Sequence, residues 1–232
     1  MDKINILDNL GIPYIIKKGK YKRITIGYYH GSTLIIKTPI NMPFVKLEKF
    51  IVDNINWIIS KQPKGYFSKV EYSTGNKYLF LGKEYELAVY QSKHAQIEHL
   101  KDKMIIYTSN LESAKIKEMV AKWRFKQAEL ILQEVLNKCF KEMEHYLEKY
   151  PHLEIKSYKS RWGCCYPKKN KIIINVSVVN LPLELIEYVI YHELSHFIHL
   201  NHSREFHEFL RKFVPDENKL RKEISKYNPI YE

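Results

Sequence analysis

Short segments in which apolar and polar residues alternate fill much of the first 107 residues, and this is the pattern of half-buried β-strands. Residues 23–28 and 33–37 alternate on either side of His30-Gly31-Ser32, and this break predicts a hairpin. From Pro43 to about residue 60, apolar residues recur at three- and four-residue steps, which predicts one helix. Two further pairs of strands are predicted beyond it, 78–81 with 85–90 and 96–100 with 104–107.

The second half of the chain has a helical pattern. Residues 112–149 contain no glycine or proline and space their apolar residues for burial, which predicts a long helix or two joined ones. A loop is predicted over residues 157–170 and a β-branched strand over residues 171–176. The helix that begins near Pro182 has apolar residues around most of its circumference, so we expect it in the middle of a domain. Two short helices follow, over residues 203–213 and 215–226.

These patterns predict an α+β fold. The N-terminal part is mostly β with one helix, and the C-terminal part is helical with a small sheet. The change of pattern divides the chain into two predicted domains, residues 1–110 and residues 111–232. A chain of 232 residues is long enough for one large domain or two small ones.

Composition narrows the class of protein. An apolar content of 45% is not that of a disordered chain, and the uncharged stretch 172–183 is too short to cross a bilayer. The first twenty residues hold no apolar leader segment, and three cysteines, two of them adjacent, suit a reducing compartment, so we expect a cytoplasmic protein. A net charge of +12 predicts at most a weak association with nucleic acid, and a solvated basic surface explains the same excess.

His192-Glu193-Leu194-Ser195-His196 lies inside the helix predicted from Pro182. Side chains four residues apart leave the same face of a helix, so His192 and His196 can bind one metal ion. Glu193 then flanks the water on that metal and can act as its base. Burying two imidazoles and a carboxylate among apolar neighbours for structure alone is costly, which makes a metal site the favoured interpretation.

A zinc site needs a third protein ligand, and His199 is excluded by geometry. His192 and His199 would lie about 10 Å apart along the helix axis, and three ligands in one line cannot form a tetrahedral shell. Asn201 tolerates the left-handed turn that ends many helices, and His202 then stands at the corner before the next helix. His202 is therefore the predicted third ligand. The alternatives that stay open are Glu205, Glu208 and Glu217, and the thiols Cys164 and Cys165.

Several short motifs make the chain resemble a known family. They are Arg161-Trp162-Gly163-x-Cys165, Ile174-Asn175, Glu187-Tyr188-Val189-Ile190 before the histidine motif, and Asn201-His202-Ser203 followed by Phe206. In these residues the chain resembles the YgjP-like metallopeptidases, relatives of the SprT-like and WLM zinc proteases, most densely over residues 157–209. The resemblance implies a zincin-like catalytic domain, Zn²⁺ bound by His192, His196 and His202, and Glu193 as catalytic base. Cys164 departs from the pattern, since serine is commoner there.

The expected function is zinc-dependent hydrolysis of a peptide or protein substrate. Arg161 and Tyr191 are candidates to bind the substrate or its oxyanion, as is Tyr166. An extended peptide could add to the strand 171–176 as an edge, near Asn175. Two other functions stay open: a nucleic-acid-associated protease of the SprT-like kind, and a metal-stabilised interaction domain without turnover.

Overall fold

Three short strands near the N-terminus form one sheet. In the computed structural model, which describes residues 4–28, 33–61, 71–158 and 161–227, they are β1 (Tyr14–Gly19), β2 (Thr25–Tyr28) and β3 (Leu34–Pro39). The order is β1-β3-β2, with β2 antiparallel and β1 parallel to β3. The antiparallel pair is the predicted hairpin, and its predicted turn at residues 30–32 lies outside the described residues.

The helix predicted after this sheet is two helices. They are α2 (Phe44–Asp53) and α3 (Ile55–Lys61), and a short α1 (Asn5–Asn9) precedes the sheet. The prediction of one helix was wrong because the Asn54 side chain donates a 2.8 Å hydrogen bond to the carbonyl of Phe50, at the point where α2 ends. These elements bury their own apolar cluster, formed by Ile4, Leu7, Ile12, Leu34, Ile36, Leu47, Ile51 and Ile58.

A four-stranded sheet opens the second part of the chain. Its strands are β4 (Lys77–Phe80), β5 (Lys83–Gln91), β6 (Gln96–Leu100) and β7 (Lys103–Thr108), in the order β4-β5-β7-β6. The β4–β5 turn has positive φ at Leu81 and at Gly82, and a Cβ on Gly82 would lie 2.6 Å from Pro182. The backbone N–H groups of this turn donate to the carbonyls of Val179 and Asn180, just before the helix that carries the histidines.

The long predicted helix is confirmed as α4 (Ser113–Met143), which ends in a 3₁₀ turn, Glu144–Tyr146. Its apolar side, including Ile116, Val120 and Leu132, shares one core with the four-stranded sheet and with the C-terminal helices. For this reason the chain forms compact units over residues 1–68 and 69–232. The change of sequence pattern near residue 110 therefore falls inside the second unit.

A three-stranded sheet follows α4. It consists of β8 (His152–Lys156), β9 (Gly163–Tyr166) and β10 (Lys171–Asn175), in the order β8-β10-β9. The sequence pattern placed β9 in a loop, where its pairing to β10 was not visible. The prediction that the 171–176 strand is an edge was wrong, because β10 pairs with β8 on one side and β9 on the other.

Three helices complete the fold: α5 (Leu183–Ser195), α6 (Arg204–Leu210) and α7 (Glu217–Ile224). Two 3₁₀ turns, Pro167–Lys169 and Val176–Asn180, flank β10. As predicted, α5 is buried around most of its circumference. The α+β class is confirmed, and no helix in the described part of the chain has the length and apolarity needed to cross a membrane.

Candidate metal centre

The last turn of α5 brings two imidazoles together. His192 lies within α5 and His196 caps its C-terminus, so their rings leave the same face with centroids 5.0 Å apart. His202 comes from the turn beyond, and its Nε2 lies 2.9 Å from Nε2 of His192. One ring nitrogen from each of these histidines lies within 4.8 Å of the others. Within the described ranges, they are the one cluster of three side chains that could bind a metal ion.

The turn that returns His202 to the site differs from the predicted one. Asn201 does not have a positive φ, so the left-handed turn expected there is not used. Instead, hydrogen bonds tighten the end of the helix: Ile198 N–H donates to the Ser195 carbonyl at 3.1 Å, and His199 N–H donates to the same carbonyl at 3.0 Å. After His202, Ser203 occupies the N-cap position of α6, as predicted.

The ring of Phe206 packs against the three histidines. It is fully buried on α6, and its ring centroid lies 5.0 Å from His192, 4.7 Å from His196 and 5.0 Å from His202. One aromatic side chain therefore fixes the positions of all three imidazoles. In the sequence Phe206 was visible only as part of a family motif, because the contact joins two helices through the turn between them.

His196 is held in one tautomer. Its Nδ1 lies 3.0 Å from the backbone carbonyl of His199, and a carbonyl can only accept, so Nδ1 carries the proton. The Nε2 lone pair is then free for a metal. His199 thus supports the site through its backbone, and its side chain does not join the cluster, in agreement with the geometric exclusion.

The imidazoles suit a divalent metal. Burial, followed by the neighbouring histidines, lowers the pKa of His192 to about 3, and the same causes lower the pKa of His202. Both rings are therefore neutral near pH 7, which is the form that binds metal. A tetrahedral ion with Zn–N bonds of about 2.0–2.1 Å separates its ligand atoms by about 3.4 Å, a spacing compatible with the nitrogen cluster.

Glu193 lies beside this cluster, 6% exposed. Burial raises the pKa of its carboxyl group to about 8, although the charge of Arg161 acts in the opposite direction. Strand β9 passes very close, since a Cβ on Gly163 would lie 2.8 Å from Oε1 of Glu193. The sequence motif included Gly163 without indicating a role for it. A glycine next to β-forming residues is the signal that could have indicated this close approach.

Two cavities flank Glu193. One of about 330 Å³ lies between β9 and the histidines, with Cys164, Cys165, Pro167 and Leu200 in its wall. The other, of about 260 Å³, contacts Arg161 and Trp162. His192, Glu193 and Gly163 line both cavities.

Asn175 lines neither cavity and supports a loop instead. Its side chain is fully buried, with Nδ2 donating to the carbonyls of Tyr158 at 3.0 Å and Arg161 at 2.9 Å, and Oδ1 accepting from Ser177 N–H at 3.1 Å. Asn175 therefore fixes the loop that carries Arg161. Arg161 itself is exposed and lines the smaller cavity, as a substrate-binding residue would.

Tyr191 also lies outside the cleft. It is 4% exposed, its hydroxyl donates to the Glu142 carboxylate of α4, and its ring stacks on Phe213 at 5.9 Å. Burial and this carboxylate raise its pKa well above the usual value. The third candidate, Tyr166, is exposed at the end of β9.

None of the alternative third ligands joins the cluster of three histidines. Glu217 is buried and contacts His207 at 3.2 Å, with Arg211 and Arg221 also close, while Glu208 pairs with Arg204 at 2.6 Å. Glu205 is exposed on α6. Cys164 and Cys165 are free thiols in the cavity wall, and neither joins the three histidines.

Comparisons with known proteins place this geometry in context. Curated protein sequences give no match. The zymogen of the metallopeptidase jannalysin from Methanocaldococcus jannaschii is 26% identical, with a TM-score of 0.36, over 40% of this chain and 92% of its own. The zymogen of abylysin from Pyrococcus abyssi is 21% identical, with a TM-score of 0.37, over 40% and 90%. The sequence model of the YgjP-like metallopeptidase domain matches residues 22–227, and the chain therefore belongs to the YgjP-like metallopeptidase family.

Proposed function

We propose that this protein is a zinc-dependent peptidase in which Glu193 is the general base. The observation that carries the proposal is the convergence of three imidazole nitrogens within 4.8 Å, beside a buried carboxylate that lines two cavities. The family shows that the protein is a metallopeptidase; the choice of zinc and the role of Glu193 are the proposal.

His192, His196 and His202 would hold the metal. Neutral ligands leave the full double charge on a bound Zn²⁺, which supplies the Lewis acidity that acidifies water and polarises a peptide carbonyl. Phe206 and the His199 carbonyl keep the ligand rings oriented for this task. Among the residues that the structure describes, no carboxylate or thiolate joins the cluster and reduces the charge.

Glu193 would move the proton. Its buried carboxylate accepts a proton from the attacking water, and the resulting carboxylic acid donates that proton to the leaving amine nitrogen. One proton is taken and the same proton is returned, so the residue ends the cycle unchanged. Burial raises the pKa of Glu193 towards neutral pH, where one group can both accept the proton and return it.

The free edge of β9 would bind the peptide backbone. Asn175 N–H donates to the Trp162 carbonyl at 2.7 Å, so Trp162 faces β10. Backbone groups alternate along an antiparallel pair, and Gly163 and Cys165 therefore direct their N–H and C=O groups away from β10. An extended peptide paired with these residues would run directly past Glu193. This proposal replaces the edge that the sequence pattern predicted at the 171–176 strand.

The test compares single substitutions by metal analysis and by peptide cleavage. Glu193→Gln is expected to retain one equivalent of zinc and to lose turnover, whereas His192→Ala loses both. Glu184→Gln, an exposed position on the same helix, is the matched control and should behave as the wild type. Full cleavage by Glu193→Gln would reject the role of the base. Zinc binding without cleavage by either the wild type or the variant would favour a domain in which metal only stabilises the fold.

Two expectations, about cellular location and about nucleic-acid binding, also belong to the proposal. The three cysteines are free, which agrees with a reducing, cytoplasmic location. Association with nucleic acid through the basic surface stays a prediction from the net charge of +12. Binding that weakens steeply with salt would support it, and no binding to duplex DNA at low salt would remove it.

A further inference from the structure

The smaller cavity beside Glu193 has an apolar interior. Tyr188 and Val189 of α5 form its floor, and Trp162 and Ile224 of α7 form its walls. We call these four residues the Trp162 pocket. None of these four residues has a charged side chain. The interior therefore suits an uncharged group.

The size of the pocket matches a single side chain. Its volume of about 260 Å³ lies below the range of about 300–1,000 Å³ that is usual for small-molecule sites. Because Glu193 and His192 also line it, a side chain that enters the pocket belongs to a residue next to the bond being broken. The pocket is thus placed to select that residue.

The pocket is formed before a peptide arrives. Tyr188 and Val189 are 6% and 4% exposed in the middle of α5, where packing fixes their rotamers. The Trp162 carbonyl accepts a 2.7 Å hydrogen bond from Asn175 N–H, which fixes the other wall to β10. A preformed pocket does not have to order its own side chains on binding, so apolar contact translates into selectivity.

Arg161 adds one positive charge at the side of this pocket. Its carbonyl is held by Asn175, but its guanidinium is exposed and lies over the Tyr158 ring at 5.6 Å. In the described part of the chain, no ion pair engages this guanidinium. Arg161 and Glu193 line the same cavity, so the charge lies beside the reactive centre. A guanidinium in this position is well suited to bind a carboxylate.

We propose that the Trp162 pocket binds one bulky apolar side chain of the substrate and that Arg161 binds a carboxylate of the same peptide. This inference rests on the proposed peptidase function and adds a substrate class to it. The carboxylate can be the peptide C-terminus or an Asp or Glu side chain, since both offer the same two oxygens.

The probes are fluorescein-labelled hexapeptides of glycine and serine with one variable residue, Leu, Phe or Ala. Each is made as a free acid, as a C-terminal amide, and as an amide with one Asp next to the variable residue. Affinity is measured by fluorescence anisotropy on zinc-loaded Glu193→Gln protein, and kcat/KM is measured with the wild type. Binding is thereby observed without turnover.

Leu and Phe peptides are expected to bind at least tenfold more tightly than Ala peptides, since each buried methylene contributes to the difference. The free acid or the Asp peptide should bind about tenfold more tightly than the plain amide, which is about 1.4 kcal/mol. Whichever of the two shows the gain identifies the source of the carboxylate. This second preference should weaken as salt is added, because Arg161 is exposed.

Two substitutions separate the parts of the proposal. Arg161→Gln should abolish the preference for a carboxylate and keep the preference for Leu over Ala. Ile224→Trp, which fills the pocket from its wall, should abolish the preference for Leu over Ala and keep the preference for a carboxylate. Arg23→Gln, an exposed arginine in the other compact unit, is the matched control and should change neither. Thermal denaturation checks that each variant is folded.

Equal affinity for Leu and Ala peptides, or no binding of any peptide, overturns the pocket. A carboxylate preference that survives Arg161→Gln overturns the role of Arg161. If both preferences are found and the wild type cleaves nothing, the inference stands and the proposed peptidase function fails. Cleavage without either preference supports the peptidase function and overturns the inference.

Discussion

Replacing Gly163 with alanine tests the closest contact in the site. The added Cβ would lie 2.8 Å from Oε1, 2.9 Å from Cγ and 3.0 Å from Cδ of Glu193. Carbon atoms in contact prefer about 3.5–4.0 Å, so either the carboxylate or strand β9 must move by roughly 1 Å. Because Glu193 lines two cavities, its carboxylate has room to move away from the added methyl group, and that movement displaces the proposed base.

A displacement of about 1 Å at a reacting group lowers the rate by roughly 100-fold. We therefore expect Gly163→Ala to lower kcat/KM by about that factor, to keep its zinc, and to lose about 1–3 kcal/mol of stability through overpacking. The assay combines peptide cleavage, zinc stoichiometry and urea denaturation. Zinc should stay because the three histidines come from α5 and the following turn, not from β9.

Gly19→Ala is the matched control for an added methyl group. A Cβ at Gly19 would lie 2.8 Å from the ring of Tyr21, the same distance, but in the other compact unit and against an exposed side chain that can rotate. It should leave kcat/KM unchanged. Wild-type kcat/KM in folded Gly163→Ala would refute the idea that this glycine sets the distance between β9 and Glu193.

Two further substitutions and removal of the metal test other contacts of the site. Phe206→Ala should cost about 3–5 kcal/mol and weaken zinc binding, as measured by urea denaturation and competition with a chelator; unchanged zinc affinity would contradict the role of the ring as a support for the histidines. Tyr191→Phe should lose about 1 kcal/mol of stability and keep wild-type kcat/KM, whereas a large loss of activity would restore the predicted substrate role. Removing zinc with a chelator should lower the melting temperature of the wild type, since zinc at a thousandfold excess over its Kd contributes about 4 kcal/mol; the shift should vanish in His192→Ala.

The two histidines of α5 could be predicted because their relation is local. A helix fixes the geometry of residues four apart, so His192 and His196 share a face wherever that helix lies in the fold. The same rule excluded His199 by distance alone. His202 required a further step, the direction of a turn. The left-handed conformation expected at Asn201 was wrong, although His202 does join the histidine cluster.

The substrate-binding residues could not be predicted in the same way. Asn175 and Tyr191 are polar and close to the motif in sequence, but each is buried and bonded to other elements, Asn175 to the Arg161 loop and Tyr191 to α4. Burial and hydrogen bonding between distant segments are properties of packing, and no local spacing reports them. The role of Gly163 could not be predicted either, since it depends on a contact with Glu193, thirty residues further along the chain.

The sequence alone was enough to predict the histidine pair, because residue type and helical spacing are properties of neighbouring residues. It also determined the α+β class and the long helix α4, whose periodic burial pattern is a local signal. Tertiary contacts determine which strands are sheet edges, where the compact units divide, and that Phe206 packs against all three imidazoles. These features depend on pairing and packing between separate elements, and such contacts form only when the chain folds.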